Sequence, residues 1–173
     1  ILITEKKMSD EPIKFEERMF DQIKVDEDKP SMPFEDCFQL GMGTEHMAPL
    51  LYSLIRFVRP QRILEIGLGY TTPFLIKGLE SNEQIHIDGN ADMDYFGKPY
   101  DPKIICIDDM SQKESSASQA AVKYKDNKYV TVIESLFQGK AQQIKDEYGM
   151  IDFAWFDCGG HKEYGEFLKE YLP

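Results

Sequence analysis

The sequence predicts an α/β fold, a parallel sheet with helices on both faces, and three observations carry that prediction. Four short apolar runs, around residues 63–66, 103–107, 129–133 and 150–156, suit strands covered on both sides rather than half-solvated ones. Segments with helical spacing or capping chemistry separate them and supply the crossovers that parallel strands require. The first run ends in Gly67-Leu68-Gly69, a turn whose backbone can approach a ligand with no Cβ in the way.

Composition bounds what such a fold can do. A chain of 173 residues is long enough for one domain with a real core. An apolar fraction of 42% and an aromatic fraction of 12% belong to globular rather than disordered chains. The balance of 31 acidic and 20 basic residues leaves a net charge of −11, which disfavours nucleic acid and anionic membranes because both repel it. No run is apolar enough to span a bilayer and the N-terminus lacks a secretory pattern, so a cytoplasmic location is expected. Cys37, Cys106 and Cys158 are odd in number and widely spaced, neither a disulfide framework nor a zinc pattern.

Residues 1–33 read as a charged N-terminal segment and residues 34–173 as the folded domain. Met8 has the look of a natural start, and Phe15, Met19, Phe20 and Ile23 recur at helical spacing, as in a helix that docks for stability or caps the site. Thr44 is the expected N-cap of a helix with Met47, Leu50, Leu51, Leu54, Ile55 and Val58 on one face, ending at Arg59-Pro60. After the glycine turn, Thr72 as N-cap and Pro73 at the first helical position start a helix to about residue 79. Residues 80–102 are rich in turn chemistry, with only 84–87 reading as extended. Tyr95, Phe96 and Tyr100 there either cover a ligand or anchor the excursion.

The second run ends in Asp108 and Asp109. Ser111-Gln112-Lys113-Glu114 has the form of a capping box opening a helix to about residue 125, and Asp126-Asn127 turns the chain into the third run. A helix is expected from residue 136 or 137 to Tyr148, stopping at Gly149. The fourth run closes on Asp157, before a last helix carrying Phe167, Leu168, Tyr171 and Leu172.

Glu65-Ile66-Gly67-Leu68-Gly69 resembles the first motif of class I S-adenosylmethionine-dependent methyltransferases. The competing dinucleotide-binding fingerprint wants a third glycine where this chain has Thr72, and the acidic Glu65 before the first glycine favours the methyltransferase likeness. The resemblance implies a Rossmann-like sheet that binds S-adenosyl-L-methionine through Glu65, Gly67, Gly69, Tyr70, Thr71, Asp108, Asp109 and Ser135. Glu65 would support the glycine loop and the methionine amino end. A strand beside a nucleoside-binding turn should deliver an acid to the ribose hydroxyls; Asp108 is the choice and Asp109 the alternative. The separation of Asp108 from Gly69 exceeds the usual ~20 residues, and the 80–102 insertion accounts for the excess. Ser135 follows the third strand, where the family places groups near the adenine.

Asp157-Cys158-Gly159-Gly160-His161-Lys162-Glu163-Tyr164 is similar to the small-molecule O-methyltransferase branch, in the subgroup with a glycine pair and a histidine after the turn. Asp157 and His161 are the implied catalytic pair. Asp157 would face the methyl or its acceptor or, by likeness to the magnesium-dependent branch, hold a divalent cation such as Mg2+. His161 is a base, a second ligand or a plain helix start. The implied partner is a small molecule methylated on oxygen or nitrogen. Two other classes stay open, a noncatalytic methyltransferase-like partner subunit and a nicotinamide-dependent oxidoreductase. The likeness covers residues 34–173, whereas the family continues through a fifth strand and an antiparallel hairpin. The expected sheet is therefore C-terminally incomplete, a fragment or one completed by self-association or another chain, because a bare apolar fourth strand is a liability.

Overall fold

The four apolar runs pair as parallel strands: β1 (Arg62–Ile66), β2 (Lys103–Asp108), β3 (Val130–Glu134) and β4 (Phe153–Phe156). This is a computed structural model, and it describes residues 34–38, 43–44, 46–87, 99–112 and 114–172. The expected helix with Phe15, Met19, Phe20 and Ile23, and the loop aromatics Tyr95 and Phe96, lie outside the described residues. The strand order is β3-β2-β1-β4, with Ile63 opposite Ile104 and Phe153, and Ile66 opposite Ile107 and Phe156. That is a Rossmann-like order. The chain winds outward from β1 to β3 and then crosses back to the other side of β1. The reversal leaves a crevice at the C-terminal ends of β1 and β4, where open α/β sheets bind ligands.

Among the described residues five helices pack around the sheet: α1 (Ala48–Val58), α2 (Thr72–Ile87), α3 (Ser116–Val122), α4 (Ala141–Tyr148) and α5 (His161–Tyr171). Alternate strand residues point to opposite faces. Ile63, Ile104, Cys106 and Val130 pack with Leu51, Ile55, Leu75, Leu79 and Ala121, which places α1, α2 and α3 on one face. Leu64, Ile66, Ile105 and Ile107 pack with Ile144 and Phe167, which places α4 and α5 on the other. Glu65 shares the parity of Ile63 and so faces the α2 side. The helices stand on both faces, as expected.

Several helix boundaries differ from the sequence expectation, each for a physical reason. Thr44 serves through its carbonyl, which accepts from the N–H groups of Met47 and Ala48, and α1 starts only at Ala48 without a side-chain cap. The Thr71 carbonyl accepts from Phe74 and Leu75, so Thr71 holds the cap position of α2 and Thr72 is its first helical residue. Residues 84–87 are helical, not extended. Tertiary contacts override the weak local pattern there. The fully buried Asn82 side chain donates to the Ile55 carbonyl at 2.9 Å and accepts from Arg56 Nη1 at 2.7 Å, holding α2 on α1. Tyr100 resolves its two options as an anchor. Its hydroxyl donates to the Pro60 carbonyl at 3.2 Å and accepts from Asn82 at 3.2 Å, at the end of the sheet away from the glycine turn.

The capping box at residues 111–114 does not form, because the Ser111 N–H is taken by the Asp109 carboxylate at 2.9 Å. Ser115 caps α3 instead, accepting from the Ser118 N–H, and the chain tightens into a 3-10 turn at Lys123–Asp126. α4 starts at Ala141 rather than at 136 or 137, because Phe137 is buried against Phe156 and Phe167 in the second core.

The α1–α2 contact gives a test of packing against propensity. A Cβ at Gly78 would lie 2.7 Å from Ile55 Cγ2 and 2.8 Å from Ile55 Cβ. Helix propensity favours alanine over glycine by about 1 kcal/mol, whereas overpacking a tight contact costs about 1–3 kcal/mol. Gly78→Ala is therefore expected to lower stability by about 1 kcal/mol in urea unfolding. A gain in stability would show that the two helices separate freely.

Candidate functional site

The crevice is built from the glycine turn outward. Gly67 takes a φ of +105°, and a Cβ there would lie 2.8 Å from the Asp157 carbonyl oxygen. Both the conformation and the space demand glycine. Its N–H donates to the Ile107 carbonyl at 2.9 Å, and the Asp157 N–H donates to the Ile66 carbonyl at 2.9 Å, so pairing continues past the strand ends. Asp108 closes β2 and joins two turns: Oδ2 accepts from the Leu68 N–H and Oδ1 from the Met110 N–H, each at 2.6 Å. Met110 takes a left-handed φ of 57°, a conformation costing about 1–2 kcal/mol for a residue with a side chain, which the Asp108 bond offsets. Asp108 stays partly exposed, and a carboxylate with two bonds made still has lone pairs for ligand hydroxyls.

Glu65 lies under this turn with no exposed surface. Its Oε1 is 2.8 Å from the Thr71 hydroxyl and its Oε2 2.8 Å from the Thr72 hydroxyl. Thr72 Oγ1 also accepts from the Gly69 N–H at 3.2 Å, and Thr71 Oγ1 is 3.2 Å from Asp157 Oδ2. Burial pushes the Glu65 pKa up to about 8; the two hydroxyls oppose it and the charges of Asp157 and Asp108 add to it. Burial also raises the Asp157 pKa, against the Thr71 hydroxyl. Asp109 moves the other way, lowered by its bond from the Ser111 N–H.

Among the described residues, two adjoining cavities border this edge. One of about 260 Å³ is bordered by Gly67, Asp108, Asp109, Ser111, Ser135 and Phe137. The other, of about 410 Å³, is bordered by Thr44, Met47, Trp155, Asp157, His161 and Tyr164. They share Cys158 and Gly159. The expected site residues therefore sort into groups. Gly67, Asp108, Asp109 and Ser135 meet at the smaller cavity, and Asp157 and His161 meet at the larger. Glu65 and Thr71 are fully buried and line neither. Gly69 also lines neither. The Tyr70 ring belongs to the core, buried edge-on to Phe38 and Phe74 at 5.3 and 5.1 Å.

His161 is the exposed first residue of α5. Glu163, which the sequence did not single out, caps that helix by accepting from the Gly160 N–H at 2.9 Å and also borders the smaller cavity. Thr72 was expected as a cap and instead binds Glu65. The signal was present, since an acid inside an apolar strand requires polar partners and two hydroxyls follow it six and seven residues on. The donor set does not fit the divalent cation expected at Asp157. Among the described residues no three His, Cys, Asp or Glu side chains converge as a metal site, and two ligands do not fill a coordination sphere. No described helix is long and apolar enough to cross a membrane.

No family model and no curated protein matches the sequence. Among solved structures, the chain is similar to an SAH-bound methyltransferase from Podospora anserina, with a TM-score of 0.46 and 20% identity over 73% of this chain and 47% of that one. It is also similar to an O-methyltransferase from Bacillus cereus in complex with SAH, with a TM-score of 0.49 and 21% identity over 75% of this chain and 53% of that one. A third is the O-methyltransferase of tomaymycin synthesis from Streptomyces achromogenes in complex with SAM, with a TM-score of 0.47 and 19% identity over 73% and 51%. The chain spans about half the length of these proteins.

The two glycines of the turn should respond differently to substitution. Gly67→Ala meets both the left-handed φ and the Asp157 carbonyl, and is expected to cost about 2 kcal/mol or more. A Cβ at Gly69 meets nothing within 4 Å, and Gly69→Ala should stay within about 0.5 kcal/mol. Denaturant midpoints measure both; equal losses would show that the Asp157 carbonyl does not pin the turn.

Proposed function

We propose that this chain forms the cofactor-binding part of a class I S-adenosylmethionine-dependent methyltransferase, acting on an oxygen or nitrogen of a small molecule. One observation carries the reading. Gly67, Asp108 and Ser135, at the ends of β1, β2 and β3, border one cavity, and it adjoins a second bordered by Asp157 and His161. Both lie at the edge where the strand order reverses, the ligand-binding edge of such sheets. The Glu65-Ile66-Gly67-Leu68-Gly69 motif adds the family likeness.

S-adenosylmethionine, when bound, supplies an electrophilic methyl group on a sulfonium. The chain's own residues then have three tasks. Asp108 accepts hydrogen bonds from the ribose hydroxyls, with Ser135 beside the adenine. The glycine turn lets the backbone close on the ligand without steric conflict. Asp157 or His161, on the larger cavity, takes the proton that an acceptor hydroxyl must lose as the new bond to carbon forms. Most of the acceleration in such a transfer comes from holding donor and acceptor collinear in a dry site, a task for which two adjoining cavities are suited. The acidic balance of the chain favours a small acceptor over nucleic acid.

Calorimetric titration with S-adenosylhomocysteine, with NADH in parallel, tests the reading. Selective micromolar binding of S-adenosylhomocysteine is the expected result. A preference for NADH would move the chain to the oxidoreductases, and a folded chain that binds neither would favour the fragment or noncatalytic-partner reading. Asp108→Ala is expected to weaken S-adenosylhomocysteine binding about 10- to 100-fold, the loss of a charged hydrogen bond; unchanged affinity would refute the ribose role. Asp157→Asn should lower turnover more than cofactor affinity, and equal losses would move Asp157 into the cofactor site.

A further inference from the structure

The hydrogen bonds under the glycine turn do not balance if both acids are ionised. Three oxygen-to-oxygen contacts join two threonine hydroxyls to two carboxyl groups: Thr71 to Glu65 at 2.8 Å, Thr72 to Glu65 at 2.8 Å, and Thr71 to Asp157 at 3.2 Å. Each hydroxyl carries one proton and an ionised carboxylate carries none. Two protons make only two undivided bonds, and with both acids ionised the Thr71 hydroxyl has to divide one proton between two carboxylates. A proton on a carboxyl group gives every contact its own.

Glu65 is the acid placed to hold it. Its side chain has no exposed surface, and in the sheet register it lies between Cys106 on β2 and Trp155 on β4. The charged groups that act on it, Asp157 after β4 and Asp108 at the end of β2, are both acidic. The Cys106 thiol, itself pushed well up by burial, is neutral beside it. A buried carboxylate with only acidic charges for company is the costliest arrangement available, and protonation removes the cost.

We propose that Glu65 is a positioning residue that works as a neutral acid: its proton completes a one-way hydrogen-bond chain that orients the Asp157 carboxylate at the ligand crevice. With the proton on Glu65, the directions follow. The Gly69 N–H donates to Thr72, Thr72 donates to Glu65 Oε2, Glu65 donates from Oε1 to Thr71, and Thr71 donates to Asp157 Oδ2. Removing the Glu65 proton breaks it. Thr71 then gives its single proton to the nearer carboxylate, Glu65, and Asp157 loses the Thr71 bond. The glycine turn and the end of β4 are thereby coupled through one proton. The assignment of that proton stands on the contacts, the complete burial of Glu65 and its acidic neighbours; only the identity of the ligand that responds to it rests on the methyltransferase reading.

The sign of the pH effect follows. For an acid whose folded pKa is raised, the stabilising contribution is complete below the unfolded value of 4.5 and is lost as pH rises through about 8. Glu65→Gln tests it, because the amide N–H₂ can donate to Thr71 and the amide oxygen accept from Thr72, which keeps the chain without a titrating group. Urea unfolding of the native chain and of Glu65→Gln should be measured from roughly pH 5 to pH 9, with S-adenosylhomocysteine affinity at each pH. The native chain is expected to lose stability relative to the variant across that window, and its affinity to fall about tenfold where the variant's holds. Parallel profiles for the two proteins would overturn the proposal. If S-adenosylhomocysteine binds at no pH, the methyltransferase reading fails, and the stability difference still decides where the proton is. Carbon NMR of the glutamate carboxyls in the native chain covers the case of a variant that does not fold. One carboxyl that stays protonated through neutral pH is expected, and ordinary titration of all of them would overturn the assignment.

Discussion

An acid in the middle of a strand buried on both sides is a demand that the surrounding structure must meet. Leaving a carboxyl group unpartnered in such a place costs several kcal/mol, so Glu65 constrains everything near it. Its two oxygens need partners on the α2 side of the sheet, and Thr71 and Thr72 supply them at the point where α2 begins. Fixing those two residues fixes the distance from strand to helix and so the path of Gly67, Leu68 and Gly69. With that path set, the Leu68 N–H falls on Asp108 and the backbone of Gly67 comes against Asp157. The crevice edge is the outcome of satisfying one buried group.

The two hydrophobic cores give this arrangement its rigidity. β1 and β2 are covered on both faces, by α1, α2 and α3 on one side and by α4 and α5 on the other. Side chains in such layers are close-packed, so the strand ends carry Asp108 and Asp157 to fixed places. Three acids, Glu65, Asp108 and Asp157, then stand at one edge with no cation among the groups that shift Glu65. A site of that kind lowers its own charge by holding a proton, and it favours a cationic ligand over an anionic one. The sulfonium of the proposed cofactor has the matching charge.

Local signals misled wherever tertiary contacts competed with them. Residues 84–87 have the composition of a brief extended piece, yet Asn82 and the packing on α1 carry α2 through them. Ser111 and Glu114 have the spacing of a capping box, yet Asp109 takes the Ser111 N–H first. In each case a partner distant in sequence, or a nearer competitor for the same N–H, offers more than the local pattern does.

The sequence by itself determined the class of fold, because unbroken apolar runs alternating with helical segments have few stable solutions other than a parallel sheet between helix layers. It also determined that Glu65, Asp108 and Asp157 would gather at one edge, since parallel strands present their C-terminal ends on the same side. Only the tertiary structure decided how those acids divide the work. Asp108 is tied to two turns, Asp157 borders the larger cavity, and Glu65 is buried between two threonines. Burial and hydrogen-bond partners set the role of an ionisable group, and both depend on contacts between residues far apart in the chain.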